Sequence, residues 1–277
     1  MGRNNTLIAA APEDPSYGTL APRGAALAVL RTAQRLAPRG WVRSTAGALL
    51  RRTHGTLVDD TLFGLRFRFD LANAGDRKAL FAIDRCDPEE RQLIIESLPP
   101  GGVFADVGAS HGLYSLHVAA TRPDVTVLAF EPFASAYRRL AYNIAINQLD
   151  GRIHALSTAL GDRKGMVAFE SRTESAASGS GDSMVPVETL AGVLAARQID
   201  RLDAIKLDVE GYEDRILAPY LASTMAESLP RLVIIEHALR TDWQIDCLDL
   251  LSQGGFREIW RGTLNAAFLR SDNAGTS

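Results

Sequence analysis

Two glycines and two acidic residues are spaced so that they could meet at one end of a predicted sheet. Gly108 and Gly112 bound a turn of small residues, where the backbone can approach a ligand closely because glycine lacks a Cβ atom. The turn follows an apolar run that ends in Asp106, and Glu131 closes the next apolar run. A carboxylate can accept hydrogen bonds from both hydroxyl groups of a ribose, and a helix start offers free N–H groups. The pattern therefore predicts nucleotide binding.

The elements that must position these residues are predicted from the stretch 103–131. An apolar strand leads into the turn, and Leu113, Leu116 and Ala120 then recur at helical spacing. A second apolar run, 125–130, reaches Glu131. The stretch is thus a strand–turn–helix–strand unit, which brings the turn and the second acid to the same edge of a parallel sheet.

The spacing of the glycines narrows the class of nucleotide. The dinucleotide fingerprint requires glycine at the first, third and sixth positions of the turn, but Ser110 and Leu113 occupy the last two of these positions. A nicotinamide dehydrogenase is therefore disfavoured. The pattern Asp-x-Gly-x-x-x-Gly instead resembles motif I of the class I S-adenosylmethionine (SAM) methyltransferases, whose ligand carries a sulfonium and an amino acid rather than a pyrophosphate.

Further motifs extend this resemblance over residues 70–270. The FkbM-type methyltransferases share DVGAN-G-YS, FEP, D-EG and a strand ending in Glu, and this chain has DVGASHGLYS, FEP, LDVEG and IIEH, with Ser110 where Asn is usual. ALGDRKG and ETL also occur in the order that the family implies. The resemblance implies a SAM-dependent O-methyltransferase acting on a hydroxyl of a small molecule, sugar or natural product. A non-catalytic SAM-binding or scaffold protein of the same fold is the alternative.

Roles for the cofactor-binding residues follow from the chemistry of SAM. The expected set is Asp106, Gly108, Ser110, Gly112, Glu131 and Asp162. Glu131 is expected to bind the ribose hydroxyls, although it could instead cap the following helix. The glycines leave room for the methionine part, Asp106 lies near its ammonium group, and Asp162 could meet the adenine amino group.

Polar residues at the ends of the later strands are the candidates for catalysis. The expected catalytic residues are His237, Asp208 and Glu210, of which His237 or Asp208 would take the proton of the acceptor hydroxyl. An alternative places Mg²⁺ between Asp208 and Glu236. Without a cation these two carboxylates would repel, so one must pair with Lys206 or Arg240, share a proton or bind substrate. His111 is expected to shape the cofactor pocket.

Alternating strands and helices predict an α/β fold with a doubly wound, mostly parallel seven-stranded sheet, similar to the Rossmann-like class I methyltransferases. We expect a methyltransferase domain at 87–277, closed by an antiparallel pair of strands. Residues 1–86 should form an extension with a disordered tail, helices at 22–36 and 42–52, and a β-hairpin at 56–71. Other predictions are a helix capped by Asp87, a third strand at 152–160 and a Ser/Gly-rich loop or lid at 171–183.

Charge and composition limit the partners. Residues 1–55 contain 8 arginines and 2 acidic residues, which give a net charge of +6. The whole chain has a net charge of −3, so residues 56–277 carry −9. These arginines are spread out, and only Tyr17 and Trp41 are aromatic in this segment, so we expect no nucleic-acid binding and favour a packed helical face or a homodimer contact. The motif (Asn/Asp)-Pro-Pro-(Tyr/Phe) of nucleic-acid methyltransferases is replaced by Asp-Val-Glu-Gly at 208–211. Two isolated cysteines suit the cytoplasm, and no apolar run is long enough to span a membrane.

Overall fold

The computed structural model describes residues 14–36, 40–82, 85–169 and 183–270, which contain nine α-helices and twelve strands. The helices are α1 (Gly24–Leu36), α2 (Gly40–Thr53), α3 (Ala74–Ala82), α4 (Pro88–Ser97), α5 (Leu113–Thr121), α6 (Ala134–Ile146), α7 (Leu190–Ala196), α8 (Glu213–Ser223) and α9 (Cys247–Gln253). The strands are β1 (Leu57–Leu62), β2 (Leu65–Asp70), β3 (Val103–Val107), β4 (Thr126–Phe130), β5 (Ile153–Leu156), β6 (Ala159–Leu160), β7 (Gly165–Phe169), β8 (Ser183–Glu188), β9 (Ala204–Leu207), β10 (Leu232–Glu236), β11 (Phe256–Arg261) and β12 (Asn265–Arg270). Of the described helices, none combines the length and the apolar character that crossing a membrane requires.

Seven strands form one sheet in the order β11–β12–β10–β9–β3–β4–β5. The pairs from β10 to β5 are parallel, and β12 runs antiparallel to both of its neighbours. The predicted doubly wound, mostly parallel seven-stranded sheet is confirmed, together with the antiparallel pair at its edge. The carboxyl ends of the parallel strands share one edge, where ligands bind in sheets of this kind.

Two hydrophobic cores cover the two faces of this sheet, which explains why its strands are continuous apolar runs. Phe104 and Ile234 point into one core, whereas their neighbours Ala105 and Ile235 point into the other. Successive residues of a strand face opposite sides, so a strand that is buried on both faces has no polar alternation.

The described helices and hairpin of the N-terminal extension pack onto one of these two cores. The predicted helices and hairpin are confirmed as α1, α2 and the β1–β2 pair, in which Leu62 pairs with Leu65 across the turn. Phe67 and Phe81 join the same core as Phe104. Helix α3 was missed, because its Ala- and Gly-rich sequence has little amphipathic pattern. The domain boundary at residue 86 stays a prediction.

The predicted strand at 152–160 is wrong, because the chain changes sheets within it. Strand β5 ends at Leu156, and β6 begins at Ala159 and pairs with Val187 of β8. Strands β6, β8 and β7 form a separate three-stranded sheet, which was not predicted. The Ser/Gly-rich loop or lid predicted at 171–183 lies outside the described residues except for its last residue.

Helix α4 begins where predicted, but its capping interaction differs. Asp87 accepts no capping hydrogen bond and has a left-handed backbone (φ 48°). Its carboxylate instead accepts hydrogen bonds from Lys78 Nζ at 2.8 and 2.9 Å. The ion pair connects α3 to α4, and Pro88 at the first helical position still favours the helix start.

Candidate active site

The turn that follows β3 has a left-handed backbone at Gly108 (φ 85°), Ser110 (φ 50°) and Gly112 (φ 93°). The N–H groups of Gly108 and Ala109 both donate to the carbonyl of Phe130, at 3.0 and 2.9 Å, and fasten the turn to the end of β4. A left-handed conformation is strained for any residue other than glycine. Ser110 must therefore be held in place by its surroundings.

The two glycines of the turn are required by neighbouring protein atoms. A Cβ atom on Gly108 would lie 1.9 Å from the carbonyl oxygen of Asp208. A Cβ atom on Gly112 would lie 2.5 Å from Leu116 and 2.7 Å from Leu140. The turn thus packs directly against the backbone that follows β9 and against the side chains of α5 and α6.

Glu131 lies at the carboxyl end of β4 and is 4% exposed. One carboxylate oxygen accepts a hydrogen bond from the Ser110 N–H at 2.8 Å, and the other accepts one from the Phe133 N–H at 2.9 Å. The second bond resembles a helix cap, whereas the first links the carboxylate to the turn. Since each carboxylate oxygen can accept more than one hydrogen bond, these contacts leave a role in ribose binding open.

Asp106 is buried beneath the turn rather than displayed at its surface. Its carboxylate accepts hydrogen bonds from the backbone N–H (3.1 Å) and the hydroxyl (2.6 Å) of Ser115, in the first turn of α5. Burial raises the pKa of Asp106, although Lys206 and Ser115 oppose the shift. Asp106 thus positions α5 relative to the turn, and its expected contact with the cofactor ammonium stays a prediction.

Strand β9 places a lysine in the middle of this site. Lys206 is 2% exposed, and its Nζ lies 2.6 Å from Asp208 Oδ2 and 4.6 Å from the centroid of the Tyr114 ring. It also lies opposite Asp106 in the register of β3 and β9. Burial alone would lower the pKa of Lys206, but the carboxylates of Asp208, Asp106 and Glu90 raise it. The side chain is therefore a buried ammonium group that balances several carboxylates, as predicted for Asp208.

Asp208 and Glu236 form a carboxyl pair at the ends of neighbouring strands. Leu207 pairs with Ile235 in the parallel register, so the next residues of the two strands are neighbours, and the interaction between their carboxyl groups shifts the pKa of both. Burial and the charge of Asp208 raise the pKa of Glu236 to about 8. Burial would also raise the pKa of Asp208, but the Lys206 ammonium lowers it. At neutral pH the pair therefore holds one proton, mainly on Glu236.

Beside this pair, three buried polar atoms have no hydrogen-bond partner among the described residues. They are Glu236 Oε2, His237 Nε2 and Asn265 Oδ1. Asn265 faces Glu236 in the antiparallel register and donates through Nδ2 to Glu90 Oε1 at 2.9 Å. Buried polar atoms usually find partners, so a polar ligand group that reached any of these atoms would be stabilised there.

The remaining predicted site residues lie in different surroundings. Glu210 is exposed as a residue and has a left-handed backbone (φ 56°), but partial burial of its carboxyl group, together with nearby Asp208, raises its pKa. Asp162 is exposed and follows β6, so it belongs to the small sheet and not to a strand end of the main sheet. His111 is buried inside the turn, with its Nδ1 atom 3.1 Å from Asp76 Oδ1. Arg240, the other predicted partner for the carboxyl pair, binds Asp246.

The donor set around Asp208 does not fit Mg²⁺. Within the described ranges no group of three or more His, Cys, Asp or Glu side chains could hold a metal ion. Asp208 is already neutralised by the Lys206 ammonium group at 2.6 Å. A hard divalent ion requires several oxygen ligands, and Asp208 and Glu236 supply two carboxyl groups at most.

Several residues of the site were not predicted from the sequence. They are Glu90, Tyr114, Ser115 and Asn265, together with Asp76 and Arg139 on the side of the N-terminal elements. Tyr114 donates its hydroxyl to Glu90 at 2.7 Å, and this bond joins α5 to α4. These residues carried no visible signal in the sequence, in contrast to Lys206, whose position inside an apolar strand indicates a buried anion.

Comparison with known proteins identifies the family. Residues 106–260, more than half of the chain, match the family model described as "Methyltransferase FkbM domain". The human methyltransferase 10 domain containing protein shares the fold, with a TM-score of 0.51 at 13% identity over 90% of this chain and 99% of that one.

Curated relatives match over limited regions. A 47-residue segment is 51% identical to part of the AMB antimetabolite synthetase AmbE of Pseudomonas aeruginosa, covering 17% of this chain and 2% of that protein. The chain is 34% identical over 156 residues to the ribosomal RNA small subunit methyltransferase G of Salinispora tropica, covering 54% of each. The chain thus spans about half the length, or much less, of these curated relatives.

Proposed function

The chain belongs to the FkbM methyltransferase family, and we propose that it uses SAM to methylate a hydroxyl group of a small molecule, a sugar or a natural product. The family match supports methyl transfer. The segment similar to an antimetabolite synthetase supports a small-molecule acceptor. We place this activity in residues 87–277 and treat residues 1–86 as an extension of the domain.

The carboxyl pair of Asp208 and Glu236 is the observation that carries this proposal. A hydroxyl group must lose its proton when it accepts a methyl group, so the site requires a base. Asp208 is ionised at neutral pH, and the neighbouring ammonium of Lys206 holds its carboxylate in position. Asp208 takes the proton of the acceptor hydroxyl, while protonated Glu236 donates a hydrogen bond that orients Asp208. His237 and Glu210 are the other candidates for this base.

The turn and the acids around it would hold the cofactor. Bound SAM supplies a methyl carbon that its sulfonium activates for displacement. Glu131 would bind the ribose hydroxyls, Ser110 and the two glycines of the turn would face the methionine part, and Asp106 and Asp162 would complete the set. The chain's own contribution to catalysis is to position the acceptor oxygen and remove its proton, because in-line displacement needs alignment above all.

The test measures SAM binding and SAM turnover with a panel of hydroxylated acceptors. In Asp208→Asn we expect kcat to fall by about 10²- to 10⁴-fold while SAM still binds, because only the base is removed. His237→Ala should reduce kcat less. If His237→Ala causes the larger loss, the imidazole is the base. Full activity in Asp208→Asn, His237→Ala and Glu210→Gln would contradict base catalysis by all three candidates.

Chelation tests the metal-free form of the mechanism. We expect full activity after exhaustive treatment with EDTA, since the carboxyl pair is balanced by Lys206 and by its own proton. Loss of activity with EDTA and recovery with Mg²⁺ would contradict this mechanism. SAM binding without turnover on any acceptor would instead support the non-catalytic alternative.

A second candidate function is methylation of ribosomal RNA, which the partial relative in Salinispora tropica favours. The net charge of −9 on residues 56–277 argues against it, because an acidic domain would repel a phosphate backbone. Methyl transfer to purified ribosomal RNA, compared with the hydroxyl panel under the same conditions, separates the two functions.

The extension and the location of the protein also belong to this proposal. We expect residues 1–55 to pack as an accessory element, which forms a homodimer contact or covers the acceptor pocket, and not to bind nucleic acid. Sedimentation of the full chain shows a dimer in the first case only, and salt-sensitive binding to generic DNA or RNA would contradict the expected lack of nucleic-acid binding. The two free cysteines, Cys86 and Cys247, are buried and suit a reducing cytoplasm.

A further inference from the structure

His111 lies inside the cofactor turn but is held by residues from outside the methyltransferase motifs. Its Nδ1 atom is 3.1 Å from Asp76 Oδ1, and Asp76 Oδ2 is 3.2 Å from Arg139 Nε. Asp76 Oδ2 also accepts the backbone N–H of Asp70 at 2.7 Å. Asp76 belongs to α3 of the extension and Arg139 to α6, so these three side chains, the Asp76 cluster, join the extension to the turn.

The Asp76 cluster is buried and charged. Asp76 is 0% exposed, His111 4% and Arg139 7%. Burial alone would raise the pKa of Asp76, but the interactions with His111 and Arg139 outweigh it and lower the pKa. The contacts of Asp76 with His111 and Arg139 are therefore electrostatic contacts in a buried site, where charges interact strongly because little water screens them.

The main chain and the ring of His111 are restrained as well. Its carbonyl accepts a hydrogen bond from Asn143 Nδ2 at 2.9 Å, and Asn143 Oδ1 accepts the backbone N–H of Arg68 in β2 at 2.7 Å. The imidazole packs against Phe67 and Phe69, with ring centroids 6.0 and 5.5 Å away. Strand β2 and helix α6 thus hold both the backbone and the side chain of one residue of the turn.

We infer that Asp76 is a positioning residue for SAM: through His111 it holds the turn in its binding conformation. His111 lies between Ser110, whose left-handed backbone is strained, and Gly112, whose backbone is also left-handed. Ser110 in turn donates its N–H to Glu131, the residue expected to bind the ribose. Releasing His111 would let this strained segment relax, and the carboxylate of Glu131 would lose a partner. The inference rests on the proposed SAM site.

The test compares Asp76→Asn with Asp60→Asn in the full chain. Asp60 is a matched control, because it is a buried carboxylate of the extension that binds Arg31 at 2.9 Å and Gln34 at 3.0 Å without contacting the turn. We expect Asp76→Asn to weaken SAM binding about tenfold in calorimetric titration, as for loss of a charged hydrogen bond, and Asp60→Asn to leave it unchanged. Equal SAM affinity in both variants would overturn the inference.

A second readout does not depend on SAM. The amides of Ser110 and Gly112 donate to Glu131 at 2.8 Å and to Ala109 at 2.8 Å, so hydrogen exchange of a peptide covering the turn reports its local opening. Asp76→Asn should speed this exchange about tenfold without ligand, whereas Asp60→Asn should not. Unchanged exchange would contradict the inference even if SAM affinity fell.

A mutant cycle separates positioning from general destabilisation. If Asp76 acts through His111, adding His111→Gln to Asp76→Asn should cost no further SAM affinity. Additive losses would contradict the inference. If the unmutated chain binds no SAM, the proposed function fails, and the exchange measurement still tests whether Asp76 holds the turn.

Discussion

Two carboxyl groups near the turn at residues 108–112 have pKa values that move in opposite directions. Asp76 touches the turn through His111 and is completely buried, yet its pKa lies below the ordinary value. Glu236 interacts with Asp208, whose carbonyl group packs against the turn. Glu236 is less buried than Asp76, yet its pKa rises to about 8. Burial alone would predict the reverse order.

The difference lies in the partners of each group. The neighbours of Asp76 are the His111 imidazole, the Arg139 guanidinium and the backbone N–H of Asp70, all of which favour the charged carboxylate. Glu236 has Asp208, Glu210 and Glu213 as its charged neighbours, which disfavour it. The first arrangement suits a structural anchor that keeps its charge, and the second suits a group that holds a proton beside a base. The charges beside each carboxyl group, rather than how deeply it is buried, therefore decide whether it stays ionised or holds a proton.

The largest expected effect comes from removing the cation that balances the carboxyl pair. Lys206→Met should lower the free energy of unfolding by about 3–5 kcal/mol, because it leaves buried carboxylates without a counter-charge. Lys164→Met is the matched control: Lys164 pairs with Glu188 at 2.7 Å but is 78% exposed, so its loss should cost less than about 1 kcal/mol. Urea unfolding measures both losses of stability, and equal losses in the two variants would contradict the larger role of the buried lysine.

A smaller loss should follow when the turn is pushed away from Asp208. Gly108→Ala would place a Cβ atom 1.9 Å from the Asp208 carbonyl at a left-handed residue, and we expect a loss of about 3 kcal/mol. Gly151→Ala, where no atom lies within 4 Å and the backbone is not left-handed, should change stability by less than about 0.5 kcal/mol. Thermal melting of both variants checks this, and a stable Gly108→Ala would show that the turn adapts.

The raised pKa of Glu236 predicts a dependence of stability on pH. Between its ordinary pKa of 4.5 and its folded pKa of about 8, the folded chain binds a proton that the unfolded chain has lost. Stability from this group is therefore present at low pH and is lost as the pH rises through about 8. From pH 6 to pH 9 we expect a loss of about 2–3 kcal/mol that is absent in Glu236→Gln. The same slope in both proteins would argue against the shared proton.

The smallest effect isolates the contribution of a single neighbour. Glu210→Gln should change the free energy of unfolding at pH 6 by less than about 0.5 kcal/mol, since Glu210 is exposed. It should nevertheless move the titration of Glu236 to lower pH, because it removes one of the charges that raise the pKa. Glu227→Gln, an exposed acid of the loop before β10, serves as control. An unmoved midpoint in Glu210→Gln would show that Asp208 and burial alone set this pKa.

Much of the fold could be predicted because its signals are local. The unit from β3 to β4 was found from apolar runs, small residues and helical spacing within one short stretch. Failures occurred where the local signal was weak or misleading. Helix α3 has little amphipathic pattern, and the apolar residues of β5 and β6 look continuous although they pair in different sheets. Asp87 has the pattern of a helix cap, but Lys78 offers its carboxylate a charged partner.

The order of apolar runs along the sequence is enough to predict which residues lie at the carboxyl edge of the sheet. Glycines at 108 and 112 and acids at 106, 131, 208 and 236 follow apolar strands, and strand ends of a parallel sheet must converge. What each of these groups does was decided only by the tertiary structure. Asn265 binds Glu90 across 175 positions and Asn143 binds the Arg68 amide across 75, so no local pattern records these contacts. Because Coulomb interactions are strong in a buried site, such distant partners decide which carboxyl group keeps its charge and which holds a proton.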